Sequence, residues 1–327
     1  MSTLVTGGLG FIGANFIEKH FSISEQRLIN IDCVTYAANP NLSFHKTKSF
    51  NYKHYNIDIS KEKSIDRIID IIKKESVQKI VHFAAESHVD NSINDPFIFL
   101  KTNVLGTFNL LESFKKGANH EKENLFLHVS TDEVYGSLKS SSPPSKENDP
   151  YLPNSPYAAS KASSDHIARS YFQTYQLPII ISNCSNNFGK YQHFEKLIPK
   201  VINNAKNKKT IPIYGNGENI RDWIYVKDHI EAINCLLDQG KIGNKYNISS
   251  INEVKNIDLV KKICHLIEEY LNLQKESLSE LISFVDDRPG HDFRYSLDTS
   301  NIKNELNWQP KFEFEDALIE TIEHYLN

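Results

Sequence analysis

Tyr157 and Lys161 stand four residues apart in Tyr157-Ala158-Ala159-Ser160-Lys161, at the start of a helix-forming stretch. Positions i and i+4 share one helix face. An ammonium held beside a phenol favours the phenolate, lowering its pKa from ~10 toward working pH. Such a phenolate can take a proton from an alcohol while a hydride leaves the same carbon. Upstream, Ser130-Thr131-Asp132-Glu133-Val134-Tyr135-Gly136 follows the apolar run 125–129. Asp132 and Glu133 add an acid and a base that plain alcohol oxidation does not need. Burial and the like charge of Glu133 would keep Asp132 protonated near neutrality. Neighbours on a regular strand face opposite sides, so the chain must turn directly after Thr131 for both carboxylates to reach one substrate.

The elements that position these groups are legible in order. Thr3-Leu4-Val5-Thr6 reads as a strand, followed by Gly7-Gly8-Leu9-Gly10-Phe11-Ile12-Gly13 and a helix to about His20. Glycines between a strand and a helix let a pyrophosphate approach bare backbone. A second strand, 28–32, ends in Asp32, 19 residues after Gly13, where an acid binds the adenosine ribose diol. Cys33 follows in place of a basic residue that would hold a 2′-phosphate, which favours NAD over NADP. Strands are expected at 52–57, 78–83, 124–129 and 178–183, with helices at 61–74, 96–116 and 155–175. This alternation predicts an α/β fold, a Rossmann-type doubly wound parallel sheet with ligands beyond the carboxyl ends of its strands. Residues 1–187 are expected to form the dinucleotide-binding domain. Residues 222–250 return to it, through 222–226, the helix 227–238 and the strand 245–248. Segments 188–221 and 251–327 form a smaller, mostly C-terminal substrate-binding lobe.

Composition narrows the function classes. The 327 residues are 39% hydrophobic and 24% charged, with a formal charge of −4 and no long basic run, which argues against nucleic acid as a partner. The four cysteines (Cys33, Cys184, Cys235 and Cys264) and 13 histidines show no metal-ligand spacing, so no metal is expected. Scattered thiols suit a reducing, cytoplasmic location. The first strand starts within a few residues of Met1, so no signal peptide is expected, and no apolar run approaches a membrane span.

These residues together resemble the extended short-chain dehydrogenase/reductase superfamily and, within it, the dTDP-glucose 4,6-dehydratases, carbon–oxygen lyases. The resemblance spans essentially the whole chain. Its marks are Thr6-Gly7-Gly8 with Gly13, Asp32 with Thr35-Tyr36-Ala37, Ala84-Ala85-Glu86-Ser87-His88-Val89-Asp90, Ser130 to Gly136, Ser155-Pro156-Tyr157 with Lys161 to His166, and Asn183 to Asn187. The second lobe adds Glu195 to Pro199, Arg221-Asp222-Trp223 and Asp287 to Asp292. The Thr-Asp-Glu triplet is the most specific of these. Related sugar-nucleotide 4-epimerases typically lack both carboxylates, and decarboxylases keep only the glutamate.

The resemblance implies a reaction. Tyr157 takes the proton of the sugar 4-hydroxyl while carbon 4 gives hydride to NAD, and Lys161 holds the phenolate and the nicotinamide ribose. Glu133 removes the proton from carbon 5, Asp132 protonates the departing 6-hydroxyl, hydride returns to carbon 6, and Thr131 hydrogen-bonds the sugar. The NAD site it implies comprises Gly7, Gly10, Phe11, Ile12, Gly13, Asp32, Thr35, Asp58 and Ile59, with Phe83, Ala84, Ala85, Ser87, Thr102, Tyr157, Lys161 and Asn187. The nucleotide sugar is expected against Ser87, Thr131, Asn186, Lys196, Leu197, Pro212, Tyr214, Arg221, Asn256, Asp287, Arg288 and His291. Two arginines suit a diphosphate, whose oxygens a guanidinium fork matches bidentately. In 189–196 both prolines common in the family are absent, and Asn91 and Ser249-Ser250 also depart from its pattern. UDP-glucose stays open as the substrate, as do a related epimerase or decarboxylase and a non-catalytic dinucleotide sensor. The resemblance also implies a homodimer through a four-helix bundle. The segment after Pro96 carries more apolar residues than one helix face holds, so a second apolar face needs cover from this chain or from a second subunit.

Overall fold

Strands apolar on both faces need cover on both sides, and the chain supplies it by alternating strands with helices. The computed structural model describes residues 2–46, 51–119, 121 and 123–327. The first half contains β1 (Ser2–Thr6), α1 (Phe11–Ile23), β2 (Arg27–Asp32), α2 (Ser43–Lys46), β3 (Tyr52–Asn56), α3 (Ser64–Lys74) and β4 (Val77–His82). Then come α4 (Val89–Asn94), α5 (Pro96–Phe99), a π-helical segment (Leu100–Leu105), α6 (Gly106–Gly117), β5 (Leu125–Thr131), α7 (Pro156–Tyr175) and β6 (Ile179–Cys184). The second half contains β7 (Asn186–Phe188), α8 (Leu197–Lys206), β8 (Ile211–Tyr214), β9 (Ile220–Tyr225), α9 (Val226–Gln239), β10 (Lys245–Ile248) and β11 (Glu253–Lys255). It ends with α10 (Asn256–Leu271), β12 (Ile282–Val285), α11 (Ser300–Leu306) and α12 (Phe314–Leu326).

Seven parallel strands form the main sheet in the order β10-β6-β5-β4-β1-β2-β3. All residues of β1 and β5 are buried. One face packs Ile68, Ile71 and Ile72 of α3 with Leu110 and Phe114 of α6 and Ala168 of α7. The other packs Phe16 and Ile17 of α1 with Ile230, Ile233 and Leu236 of α9, and that core continues into α8, α10 and α12. Strand order reverses at β1, opening the crevice that such sheets use for ligands.

Two expectations change. The helix expected over 96–116 is interrupted by the π segment, and the wider turn places Thr102 against the cleft while Asn103 reaches the Ser160 hydroxyl (2.8 Å) and the Glu86 backbone. The segment 222–226 does not rejoin the large sheet. β10 already occupies the outer edge of β6, so β9 pairs instead with β7 and β11 in a separate three-stranded sheet. α9 and β10 do pack with the large sheet. β8 and β12 form a further parallel pair.

Candidate active site

A single cleft crosses the carboxyl ends of β1, β2, β4, β5 and β6. Gly7 lies at φ +72°, and a Cβ there would stand 2.7 Å from the Ala84 backbone. Only glycine fits. Gly10 precedes α1 with no side-chain cap, and a Cβ there would meet only the Gly7 carbonyl, at 3.3 Å. The amino end of α1 is therefore bare toward the cleft, as a pyrophosphate requires. Phe11, Ile12 and Gly13 continue that wall. Asp32 accepts the Leu9 and Val34 amides, at 2.9 and 2.8 Å, on its two oxygens. It holds Val34 at φ +55°, a strained conformation for a β-branched residue. Each carboxylate oxygen keeps a lone pair for a ribose hydroxyl.

Thr35, Asp58, Ile59 and Thr102 line the same half of the cleft, with Phe83, Ala84, Ala85 and Ser87. Asn187 closes it from β7, its side-chain carbonyl 2.8 Å from His229 Nδ1. Burial takes the His229 pKa down to about 3, so its ring is neutral and donates from that nitrogen. These residues fit a dinucleotide, with bare backbone for the phosphates, an acid for the ribose and, among the described residues, Cys33 rather than a cation next to Asp32.

β5 ends at Thr131 and a single 3₁₀ turn, Asp132–Tyr135, begins at once. The Glu133 amide donates to Thr131 Oγ1 at 3.3 Å, capping the turn, and Gly136 at φ +80° ends it. This is the departure from strand geometry that the carboxylate pair requires, and both Asp132 and Glu133 line the cleft. Thr131 Oγ1 donates to Asp132 Oδ1 (3.2 Å), while Asp132 Oδ2 is buried with no protein partner among the described residues. Burial first, then the charges of Glu133 and Asp222, push the Asp132 carboxyl well above its usual value. Both effects favour its protonated form. Burial also raises Glu133, opposed by the cations Arg288, Lys196 and Arg221.

Ser155 caps α7 by accepting the Ala158 amide at 3.1 Å, with Pro156 in the first turn. That cap aims Tyr157 and Lys161 into the cleft beside Glu133. The expectation that Lys161 lowers the phenol is corrected. Lys161 Nζ donates to the Val129 carbonyl at 2.8 Å, and burial followed by the charge of Glu133 holds the Tyr157 phenol well above its ordinary value. In turn, burial lowers Lys161.

Asn186 and Lys196 also line the cleft. The other residues expected to hold the nucleotide sugar stand outside that lining, on the elements after Lys196. Leu197 opens α8, Pro212 and Tyr214 lie on β8, and Asn256 opens α10. Arg221 is buried, donating to the carbonyls of Ile220 (2.8 Å) and Asp292 (2.9 Å), with its guanidinium 4.4 Å from the Tyr295 ring centroid. Asp287 accepts from His291 at 2.6 Å. Arg288 Nη1 stands 3.4 Å from Asp90. Asn186 Oδ1, Asn256 Oδ1 and Arg288 Nε are buried without protein partners among the described residues, acceptors and a donor that a polar ligand would satisfy.

Several residues of the site escaped the sequence reading. Asp165 lies one helical turn beyond Lys161 and accepts His128 (3.0 Å), Tyr151 (2.8 Å) and Asn183 (3.1 Å), beneath the cleft floor. Its i+4 spacing from Lys161 and its place in the stretch Lys161 to His166 were the signals available. Glu86, His193 and Glu195 line the cleft mouth, where Tyr36 donates to Glu86 at 3.3 Å. No cluster of metal-binding side chains occurs among the described residues.

A family model described as GDP-mannose 4,6 dehydratase matches residues 4–321. The dTDP-glucose 4,6-dehydratase of Haemophilus influenzae is 45% identical over 334 residues, covering 100% of this chain and 98% of that protein. The crystal structure of dTDP-glucose 4,6-dehydratase from Streptomyces venezuelae, with NAD and TYD bound, has a TM-score of 0.90 at 38% identity over 99% of this chain and 97% of that one. The Bacillus anthracis dTDP-glucose 4,6-dehydratase, in complex with NAD, has a TM-score of 0.86 at 42% identity over 99% and 96%. Likeness along the full length, joined to an acid, a base and a tyrosine–lysine pair around one dinucleotide cleft, makes the chain a member of the dTDP-glucose 4,6-dehydratase family.

Proposed function

We propose that the chain converts dTDP-glucose to dTDP-4-keto-6-deoxyglucose, holding NAD throughout, for consumption in deoxysugar synthesis such as that of rhamnose. The observation that carries this reading is the Asp132–Glu133 turn beside Tyr157 in one cleft, with Asp132 buried where burial and the Glu133 charge favour its protonated form. Tyr157 Oη takes the proton of the sugar 4-hydroxyl, and Thr131 Oγ1 hydrogen-bonds the same oxygen. Lys161 sets a positive charge beneath them. When bound, NAD would accept the hydride of carbon 4 and return it to carbon 6, and its positive charge would favour the Tyr157 phenolate. The ketone at carbon 4 acidifies carbon 5, whose proton Glu133 removes. Asp132 gives its proton to the 6-oxygen, which leaves as water, and Glu133 returns a proton to carbon 5. Arg221 and Arg288 face the diphosphate, the latter through its free Nε. Residues 1–187 with α9 and β10 act as the cofactor domain, and the remaining C-terminal elements as the substrate lobe.

The working unit is a homodimer in the cytoplasm. Supporting the dimer, Phe97, Leu100, Leu105 and Phe108 project from α5–α6 at 64%, 49%, 50% and 39% exposure, an apolar stripe that a second copy would cover. The four cysteines are unpaired, which suits a reducing compartment. No helix among the described residues is long and apolar enough to cross a membrane. The test is mass spectrometry of the product from dTDP-glucose, with UDP-glucose in parallel and no added NAD. Loss of one water from dTDP-glucose is the expected result. Unchanged mass, or faster turnover of UDP-glucose, overturns the reading.

A further inference from the structure

The motif Ala84 to Asp90 serves the cofactor through Ala84, Ala85 and Ser87, but its last residue has no place in that role. Asp90 sits in the first turn of α4 with each carboxylate oxygen engaged by a residue from the C-terminal half. Tyr214 Oη donates to Oδ2 at 2.8 Å, and Arg288 Nη1 to Oδ1 at 3.4 Å. Tyr214 ends β8 and pairs in register with Val285 at the end of β12, three residues before Arg288. One carboxylate therefore ties the loop after β4 to the ends of both strands of the small sheet. Lys196 is held by the same segment, its Nζ donating 2.6 Å to the Ser87 carbonyl. Burial alone would raise the Asp90 carboxyl, but Tyr214 and Arg288 hold it below its usual value, so it is an anion. His88 Nε2 stands 3.8 Å away, and Asp90 also acts on the Lys196 ammonium.

Asp90 uses one edge of a five-donor guanidinium. Arg288 Nε remains buried without a protein partner among the described residues, and the Arg288 charge is felt at Glu133. We propose that Asp90 is a positioning residue, which presents Arg288 and Tyr214 to the diphosphate side of the sugar nucleotide and couples that wall to the cofactor loop. This rests on the dehydratase reading above. A guanidinium oriented before binding loses less freedom on meeting its ligand, so the effect belongs in KM rather than kcat.

The experiment is a double-mutant cycle with Asp90→Asn, Arg288→Gln and the pair, assayed with dTDP-glucose. Asp90→Asn keeps the shape and an acceptor for Tyr214 while removing the charge that aims Arg288. KM should rise roughly tenfold with kcat changed less than threefold. In the Arg288→Gln background the same substitution should change KM less than twofold, because its route is already gone. Additive effects overturn the proposal, showing a latch that stabilises the fold by itself. A lowered KM also overturns it, since Asp90 would then compete with the diphosphate for Arg288. Thermal melting and bound-cofactor content establish that each variant is folded. Tyr214→Phe removes one hydroxyl only and should raise KM by a smaller factor. If wild-type protein fails to dehydrate dTDP-glucose, the reading itself has failed, and that outcome is seen before any variant is made.

Discussion

Replacing Asp132 by asparagine removes one transferable proton and little else. The side chain is 3% exposed, its Oδ1 accepts Thr131 at 3.2 Å, and its Oδ2 has no protein partner among the described residues. An amide occupies the same volume, keeps the Thr131 contact and leaves the turn of 132–135 intact. It has no proton to give to the leaving 6-oxygen. Positioned general acids contribute typically 10²–10⁴-fold, so kcat should fall by roughly 10³. Proton removal from carbon 5 uses Glu133 and should persist. In deuterated water, NMR should show deuterium entering at carbon 5 of unconverted sugar while product formation nearly stops. Since burial and like charge raise the Asp132 carboxyl, it is active below its folded pKa, and wild-type kcat should fall as pH rises through that value. The same shift destabilises the native state: stability is lost as pH climbs from the ordinary aspartate range through the raised pKa. Asp132→Asn should therefore melt at a higher temperature than wild type at pH 7. A kcat within threefold of wild type, or exchange lost together with elimination, would refute the assignment of Asp132 as the acid.

Glu133→Gln should abolish deuterium entry at carbon 5 together with product formation, lowering kcat by at least ~10²; retained exchange would remove Glu133 from that role. Gly7→Ala forces a Cβ to 2.7 Å from the Ala84 backbone at φ +72°. It should cost about 1–3 kcal/mol in strain and yield protein without bound NAD, read by absorbance and melting temperature. Leu100→Glu together with Phe108→Glu should shift sedimentation from dimer to monomer. An unchanged sedimentation coefficient would place the interface elsewhere.

The sequence pattern carried most of the cofactor half. Glycines between a strand and a helix have few other uses, and their order along the chain is their order in space around α1. Asp32 was legible for the same reason, although the Leu9 and Val34 amides it also holds were not. The turn after Thr131 could be argued from strand periodicity, because two adjacent carboxylates cannot otherwise face one ligand. The π interruption at Leu100–Leu105 could not, since the segment carries apolar residues on more than one helix face and so hides the shift of phase that an inserted residue makes. Placing 222–226 in the large sheet failed because a buried strand reads alike in any sheet, and only the β6–β10 pairing shows that the edge is taken.

What the sequence by itself determined is the inventory of chemistry: a phenol, an ammonium, an acid, a base and a dinucleotide loop, each recognisable from short spacings. Tertiary structure decided how those groups are charged. Lys161 turns to the Val129 carbonyl, Tyr157 lies under the influence of Glu133, and burial with the charges of Glu133 and Asp222 raises the Asp132 carboxyl. It also decided that Asp90 meets Tyr214 and Arg288, 124 and 198 residues away. Local spacing is read along the chain, whereas burial and long-range charge depend on which segments pack together, and no short stretch of sequence contains both partners.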